Sequence, residues 1–201
     1  MYTKELAMQS FTDVYYAQLP AVMGRRGIYP PQREAYVLQT HNPLLQRQRY
    51  YVWLLLEYAV NASLKKGLHQ LSITQDARGK WLSPFIHFSL AHEGNAVAVA
   101  ISDKPVGVDI QKRIENESAK TYILTPDEYP AYERAENKTD FLTELWTKKE
   151  SLFKIGNQCR FNPKTYSAQN ADADTRWLDI QGERYALSAT SRITRLEEVR
   201  L

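Results

Sequence analysis

The sequence contains very little cysteine, since Cys159 is the only one among 201 residues. A single thiol excludes an intramolecular disulfide and any zinc site built from several cysteines. A free cysteine is more often a packed side chain than a nucleophile, so we expect Cys159 to be buried and unreactive.

The sequence also lacks long apolar runs and a strong excess of one charge. No segment approaches the roughly 18 consecutive apolar residues that span a bilayer, and the N-terminal residues lack the apolar stretch of a signal peptide. We therefore expect no membrane association and a cytoplasmic location. A net charge of +3 with scattered arginines does not indicate a nucleic-acid-binding surface, but it is compatible with an acidic protein partner or a phosphorylated ligand.

The composition is that of an ordinary globular protein, with 43% hydrophobic and 24% charged residues. Asn42 followed by Pro43 predicts a helix start, and Gly67 marks the expected end of that helix. Downstream, three strands are predicted in succession, and we expect them to form an antiparallel meander: 85–90, 96–101 and 106–111. The C-terminal part predicts a hairpin with strands 176–180 and 185–189.

A second helix is predicted through residue 154, with an apolar seam that includes Trp146 and Phe153. Glu150 lies at the edge of this seam, and Lys154 follows it by four positions on the same face. Taken alone, these two residues read as a solvated ion pair worth a few tenths of a kcal/mol. The alternative is that Glu150 is a partly desolvated carboxylate that binds a ligand.

The strand 106–111 has a side-chain period of two, which puts Gly107, Asp109 and Gln111 on one side. Asp109 is therefore expected to project where Gly107 leaves room for a ligand, although a strand-end turn former is the simpler reading. Two carboxylates on separate elements, with a lysine beside one of them, suit Mg²⁺, which binds one or two carboxylates together with substrate phosphates.

Two sequence blocks together carry a family resemblance. The first is Val106-Gly107-Val108-Asp109, and the second is Trp146-Thr147-x-Lys149-Glu150-Ser151-x-x-Lys154. Their order and spacing resemble the bipartite signature of the 4′-phosphopantetheinyl transferases, in particular the surfactin-synthetase-activating (Sfp) type. The resemblance runs in order from Gly79 to about Tyr166.

This resemblance implies an enzyme that transfers the 4′-phosphopantetheine group of coenzyme A to a serine hydroxyl of an apo carrier protein. The carrier would be of the acyl, peptidyl or aryl type, the reaction would need Mg²⁺, and adenosine 3′,5′-bisphosphate would be released. The implied fold is α+β, a pseudo-dimer of two similar α/β halves in which antiparallel sheets pack against a long helix. We expect the halves to be residues 1–103 and 104–201, and the protein to be a monomer.

The resemblance also assigns the metal and the chemistry. Asp109 and Glu150 are the expected metal ligands, with Gln111 or a water completing the shell. Lys154 is expected to neutralise or protonate the departing phosphate and to bind coenzyme A. Glu128, or Glu150 through a water, is expected to take the serine proton, although Glu128 by itself reads as an acid in the first turn of a surface helix.

The phosphates of coenzyme A are expected to contact Lys80, His92 and an arginine, either Arg49 or Arg47. Without the resemblance, His92 reads as a residue of the tight turn between two strands. A basic stretch that includes Arg33 reads either as a solvated loop or as a further phosphate contact.

Three positions depart from the family pattern. Gln111 stands where many members have a glutamate, Ala91 where a serine is usual, and Trp81 where a proline often follows Gly-Lys. The departures keep a second interpretation open, a non-catalytic module that binds coenzyme A or a carrier protein. In either case we expect residues 111–119 to contact the carrier.

Overall fold

The computed structural model describes residues 10–24, 26–77, 79–156, 158–168 and 172–201. Within these ranges, no helix combines the length and the apolar character needed to cross a membrane. The elements that follow are those of the described residues.

The strands, in chain order, are β1 (Thr12–Gln18), β2 (Thr74–Gln75), β3 (Trp81–Leu82), β4 (His87–Glu93), β5 (Ala96–Ser102), β6 (Val108–Lys112), β7 (Asp174–Ile180), β8 (Glu183–Ala189) and β9 (Arg195–Glu198). The α-helices are α1 (Pro31–Leu38), α2 (Pro43–Leu64), α3 (Lys120–Ile123), α4 (Tyr129–Arg134) and α5 (Lys138–Ile155). Short 3₁₀ turns cover Leu68–Gln70, Glu117–Ala119, Pro126–Glu128 and Pro163–Thr165.

The first sheet has the strand order β4-β5-β1-β9, and α2 packs against it. Helix α2 starts where the sequence predicted, because the side chain of Asn42 accepts hydrogen bonds from the backbone N–H groups of Leu44 and Leu45. It ends at Leu64, slightly before the predicted stop, with Lys65 in the left-handed conformation. Fully buried side chains such as Trp53 join the helix to the core of this layer.

The second sheet has the strand order β6-β8-β7, and α5 packs against β6 and β8. The side chain of Asn137 caps α5 by accepting from the N–H of Asp140, and the helix ends before Gly156. The predicted hairpin is confirmed as β7 and β8, which pair in antiparallel register around a turn at Gln181 and Gly182.

The predicted meander is wrong at its third strand. Strands β4 and β5 pair as expected, but β6 leaves that sheet and pairs with β8. Two hydrogen bonds between Gly107 and Thr190 precede the β6–β8 pairing. Gly107 N donates to Thr190 Oγ1 at 2.9 Å, and Thr190 N donates to Gly107 O at 3.0 Å. The sheets remain in contact, because Val108 N donates to Ser89 Oγ at 3.0 Å.

The two sheets repeat one strand arrangement, and the α+β class predicted from the sequence is confirmed. In the first sheet, β5 lies between β1 and β4 and pairs with both. In the second sheet, β8 lies between β6 and β7 in the same way, so the last of the three strands in the chain is central in each case. Along the chain, the long helix α2 lies between β1 and β4, and the long helix α5 lies between β6 and β7. Strand β9 follows residue 104 in the chain but lies in the first sheet, parallel to β1.

Candidate functional site

The two signature blocks meet where α5 crosses β6. Lys154 on α5 donates from Nζ to Oδ1 of Asp109 at 2.9 Å and to the carbonyl oxygen of Val108 at 2.8 Å. Glu150 lies one turn earlier on the same helix. The structure therefore brings Asp109, Glu150 and Lys154 together, although the two blocks are far apart in the chain.

Gly107 makes this crossing possible, but not in the way that the sequence suggested. A Cβ atom at this position would lie 1.9 Å from the carbonyl oxygen of Ser151 on α5. The space beside Gly107 is thus filled by the backbone of the helix and not by a ligand. A glycine is needed because the helix and the strand approach more closely than any side chain allows.

Burial raises the pKa of both carboxylates, and the charge of Asp109 adds to the shift of Glu150. Burial raises the pKa of Asp109, which is only 7% exposed, while the ammonium of Lys154 opposes the shift. Desolvation, with the nearby charge of Asp109, raises the pKa of Glu150 to about 7 against the opposing effect of Lys154. Such a pair of dehydrated oxygen donors fits a hard divalent cation.

The remaining ligands of such a cation would be mostly neutral. Among the described residues, no group of three or more His, Cys, Asp and Glu side chains is arranged to hold a metal ion. Gln111 follows Asp109 by two positions on β6, is half-buried, and donates from Nε2 to the carbonyl oxygen of Lys112 at 3.0 Å. It can offer its amide oxygen, so the donor set fits Mg²⁺ with two carboxylates, an amide and waters.

A further acid, Glu93, was missed by the sequence analysis. It ends β4, is half-buried, and has a pKa raised by desolvation and by the charge of Asp109, with Lys112 opposing. No motif marks this residue, and its nearness to Asp109 depends on the packing of β4 against β6.

A cleft of about 450 Å³ opens beside Lys154. It is lined by the residues expected to bind phosphate, Lys80, His92 and Arg49, and by apolar side chains of α2, β4 and α5. Lys80 donates from Nζ to the carbonyl oxygen of Lys154 at 2.6 Å, which ties the β2–β3 hairpin to the end of α5.

The two arginines of α2 differ in their position, since Arg49 lines the cleft and Arg47 does not. Arg47 donates to the carbonyl oxygens of Pro20 and Ala21, outside the cleft. Arg49 lines the cleft, donates to the carbonyl oxygen of Tyr36 and places its guanidinium 4.1 Å from the centre of the Tyr36 ring.

Arg33 is the cleft residue whose role the sequence left open. It is only 3% exposed, donates from Nη2 to the carbonyl oxygen of Arg49 at 2.6 Å, and stacks on the rings of Tyr36 and Trp53. Desolvation, with a smaller effect of Arg49, lowers its pKa to about 10. In the sequence, the three-residue spacing of Arg33 and Tyr36 was a weak indication that both lie on the same face of a helix.

Arg33 and Arg49 are not paired with an acid in the part of the chain that the structure describes. Neither forms an ion pair with a carboxylate of the described residues, and the Nε atom of each is buried without a hydrogen-bond partner there. Two guanidinium groups held together without a counter-charge favour an anionic ligand with several oxygens.

His92 lies within β4, next to its last residue, and not in the following turn as predicted. Although His92 is an exposed residue, its position in the lining of the cleft desolvates the imidazole and lowers its pKa to about 4, and the charges of Lys154, Arg33 and Arg49 contribute in the same direction. The imidazole is therefore neutral near pH 7.

The structure does not bring Glu128 to this cluster. Glu128 is completely buried, and its carboxylate binds Lys149 Nζ at 2.6 Å and the backbone N–H groups of Thr125 and Ala168. Lys149 also donates to the carbonyl oxygen of Ile123. With its oxygens satisfied inside the protein, Glu128 holds α4 against α5 and is not accessible to a substrate.

Cys159 and Trp81 also line the cleft. The prediction of a buried cysteine is wrong, because Cys159 is exposed in the turn that follows α5. Trp81 is nearly buried and packs edge-on against Trp53 with ring centres 5.0 Å apart.

Comparison with known proteins confirms the resemblance. Residues 105–199 match the model of the 4′-phosphopantetheinyl transferase superfamily. A 4′-phosphopantetheinyl transferase of Bacillus subtilis is 33% identical over 75 residues, which cover 35% of this chain and 33% of that protein. The 4′-phosphopantetheinyl transferase psf-1 of Bacillus pumilus is 28% identical over 109 residues, which cover 51% of this chain and 46% of the relative.

A shorter relative has a higher identity over a smaller span. The holo-[acyl-carrier-protein] synthase of Mycoplasmopsis pulmonis is 44% identical over 57 residues, which cover 26% of this chain and 53% of that protein. The matched spans thus cover between a third and about a half of the length of these curated relatives.

Proposed function

We propose that this protein transfers the 4′-phosphopantetheine group of coenzyme A to a serine hydroxyl of an apo carrier protein. The observation that carries the proposal is the meeting of Asp109 and Glu150 with Lys154, which itself lines a cleft with cationic walls. The match of residues 105–199 to the transferase superfamily supports the same reaction.

Two chemically different groups of residues can contact a substrate with several phosphates. Asp109 and Glu150, which lie beside the cleft residue Lys154, require a cation before they can accept a pyrophosphate. Arg33 and Arg49, which line the cleft with neutral His92, can bind a phosphate monoester directly. We assign the pyrophosphate of coenzyme A to the first group and its 3′-phosphate to the second.

Asp109 and Glu150 would hold Mg²⁺, with the amide oxygen of Gln111 as a third donor. When bound, the ion would neutralise charge on the pyrophosphate and orient it for displacement. Lys154 is held in position by Asp109 and Val108, so its ammonium is available to bind the departing phosphate without a large rearrangement.

The proton of the attacking serine needs an acceptor on this chain. We assign this role to Glu150, acting through a water, because it is a half-buried carboxylate on the same helix as Lys154, one turn away. Glu128 is left out of the proposed chemistry because all its contacts are internal.

The repeated strand order of the two sheets supports a pseudo-dimer, with β9 joining the C-terminal part of the chain to the first sheet. A fused pseudo-dimer does not need a second copy to complete its cleft, so we propose a monomer. The carrier protein would contact residues 111–119, because this segment continues from the strand that carries Asp109. A cytoplasmic location remains a prediction.

The test is the mass of an apo acyl carrier protein incubated with this protein, coenzyme A and Mg²⁺. We expect a gain of one phosphopantetheine, lost with EDTA and in Glu150→Gln, and retained in Glu136→Gln, which changes an exposed acid away from the cleft. If several apo carriers gain no mass while coenzyme A still binds, the non-catalytic module is the better interpretation.

A further inference from the structure

Cys159 is placed where a ligand of the cleft can reach it. Its side chain is exposed, and it lines the same cleft as Lys80 and Lys154. It is also the only cysteine of the chain, so any thiol chemistry of the protein belongs to this position.

An independent feature of the cleft indicates what kind of molecule would reach this thiol. Arg33 lines the cleft, is 3% exposed, and has a buried Nε without a partner among the described residues. Arg49 lies against it, and Lys80 and Lys154 add charge nearby. A multiply charged anion is therefore concentrated next to Cys159, whereas a neutral reagent is not.

We propose that Cys159 is a modification site for phosphate-bearing disulfides, and specifically for the disulfide of coenzyme A. The proposal rests on the proposed function in one respect, namely that the cleft binds coenzyme A. The phosphates of one half of the disulfide would bind the cationic side chains of the cleft, and the flexible pantetheine arm between the phosphates and the sulfur would let the sulfur–sulfur bond reach the thiol of Cys159 in the same cleft.

The chemistry is a thiol–disulfide exchange that needs no external oxidant. The thiolate of Cys159 attacks one sulfur of coenzyme A disulfide, a new sulfur–sulfur bond forms, and the original one breaks. One coenzyme A leaves as its thiolate and takes up the proton that Cys159 lost. The number of disulfide bonds stays constant, because one coenzyme A disulfide is consumed for each mixed disulfide that forms, and no other oxidant is needed.

The product would block the cleft with a covalently attached copy of the substrate. Transfer activity would then fall when the disulfide form of coenzyme A accumulates, and it would return when a thiol reduces the mixed disulfide. Cys159 would in this way couple the proposed transferase to the redox state of its own co-substrate.

The experiment follows the intact mass of the protein with time in coenzyme A disulfide and in the neutral bis(2-hydroxyethyl) disulfide. We expect modification by coenzyme A disulfide to be about tenfold faster or more, because the cationic cleft raises its local concentration. Dithiothreitol should reverse the mass gain, and Cys159→Ser should gain no mass from either reagent.

A matched pair of arginine variants tests whether the rate depends on the positive charge of the cleft or only on the exposure of the Cys159 thiol. In Arg49→Gln, the rate with coenzyme A disulfide should fall by about tenfold while the rate with the neutral disulfide stays unchanged, because one charged contact to phosphate is lost. Arg47→Gln, two positions away and outside the cleft, should keep the rates of the unmodified protein.

Two results would overturn the proposal. One is an equal rate with the two disulfides, which would make Cys159 an ordinary exposed thiol. The other is an equal loss of rate in Arg47→Gln and Arg49→Gln. Carrier-protein transfer by Cys159→Ser with reduced coenzyme A tests the proposed function separately, because that assay does not need the thiol.

Discussion

The ammonium of Lys154 lies 2.9 Å from Oδ1 of Asp109 and joins helix α5 to strand β6 across 45 positions of the chain. This contact fixes the distance between the two elements that carry the candidate metal ligands. It also explains why a buried aspartate can be tolerated before any cation binds, since a positive charge is already beside it. The site is thus held together in the absence of its ligands.

Asp109→Asn should weaken Mg²⁺ binding by roughly 100-fold or more, because a direct ligand is lost and even outer-shell partners of a metal contribute on that scale. Titration with Mn²⁺, followed by the electron paramagnetic resonance signal of the free ion, measures this without any activity assay. Asp179→Asn, which changes an exposed residue near the end of β7, is the control and should bind as the unmodified protein does. Unchanged Mn²⁺ binding in Asp109→Asn would remove this residue from the metal site.

Gly107→Ala should lower the free energy of unfolding by about 3 kcal/mol, or prevent folding, because the new Cβ overlaps the backbone of Ser151. Urea denaturation measures the change. Gly27→Ala is the matched control, since a Cβ at that position meets nothing within 4 Å. Equal stability of the two variants would show that α5 and β6 can separate at little cost.

His92 should titrate with a midpoint near pH 4, far below the value of about 6.5 for an unperturbed histidine. The unfolded chain then takes up a proton at higher pH than the folded chain. The contribution of His92 to stability is therefore complete above about pH 6.5 and is lost as the pH falls towards 4.

Nuclear magnetic resonance of the imidazole protons measures this titration directly. Arg49→Gln should raise the midpoint, because one of the nearby positive charges is removed, and so should bound adenosine 3′,5′-bisphosphate, which brings negative charge. Arg47→Gln should leave the midpoint unchanged. A midpoint near 6.5 in the unmodified protein would mean that His92 does not experience the cationic cleft.

Arg33→Met should weaken the binding of coenzyme A by about tenfold or more, because a charge-assisted contact is lost. The same change should not destabilise the free protein, and it can raise the free energy of unfolding, since Arg33 is a buried charge with no acidic partner among the described residues. Urea denaturation with and without coenzyme A separates the two effects. A variant that unfolds earlier but still gains the full stabilisation from coenzyme A would make Arg33 a structural residue.

Glu128→Gln should lower the free energy of unfolding by about 3 to 5 kcal/mol, because Lys149 would be left as an unpaired buried charge. The double variant Glu128→Gln with Lys149→Met should recover part of this loss. Transfer measured per folded molecule, at low temperature, should remain in the double variant. If folding is intact but transfer is abolished, Glu128 is a base after all, and the internal position described here must open during the reaction.

Much of the local structure followed from the sequence. The starts of α2 and α5 were predictable because Asn42 and Asn137 cap helices through bonds to residues only two or three positions away. The β7–β8 hairpin was predictable because its turn is short and its strands alternate. The two signature blocks were visible for the same reason, since each is a short run of residues: the first leads into β6, and the second lies within α5.

The tertiary structure alone decided which of these elements meet. Strand β6 pairs with β8, Gly107 accommodates α5 rather than a ligand, and Glu128 is enclosed by Lys149. Each of these contacts joins residues that are distant in the chain, so their energies depend on how whole layers pack and not on local preference. The sequence by itself therefore determined the elements and the residue types of the candidate site, whereas packing selected which charged side chains line the cleft and which are buried as structural pairs.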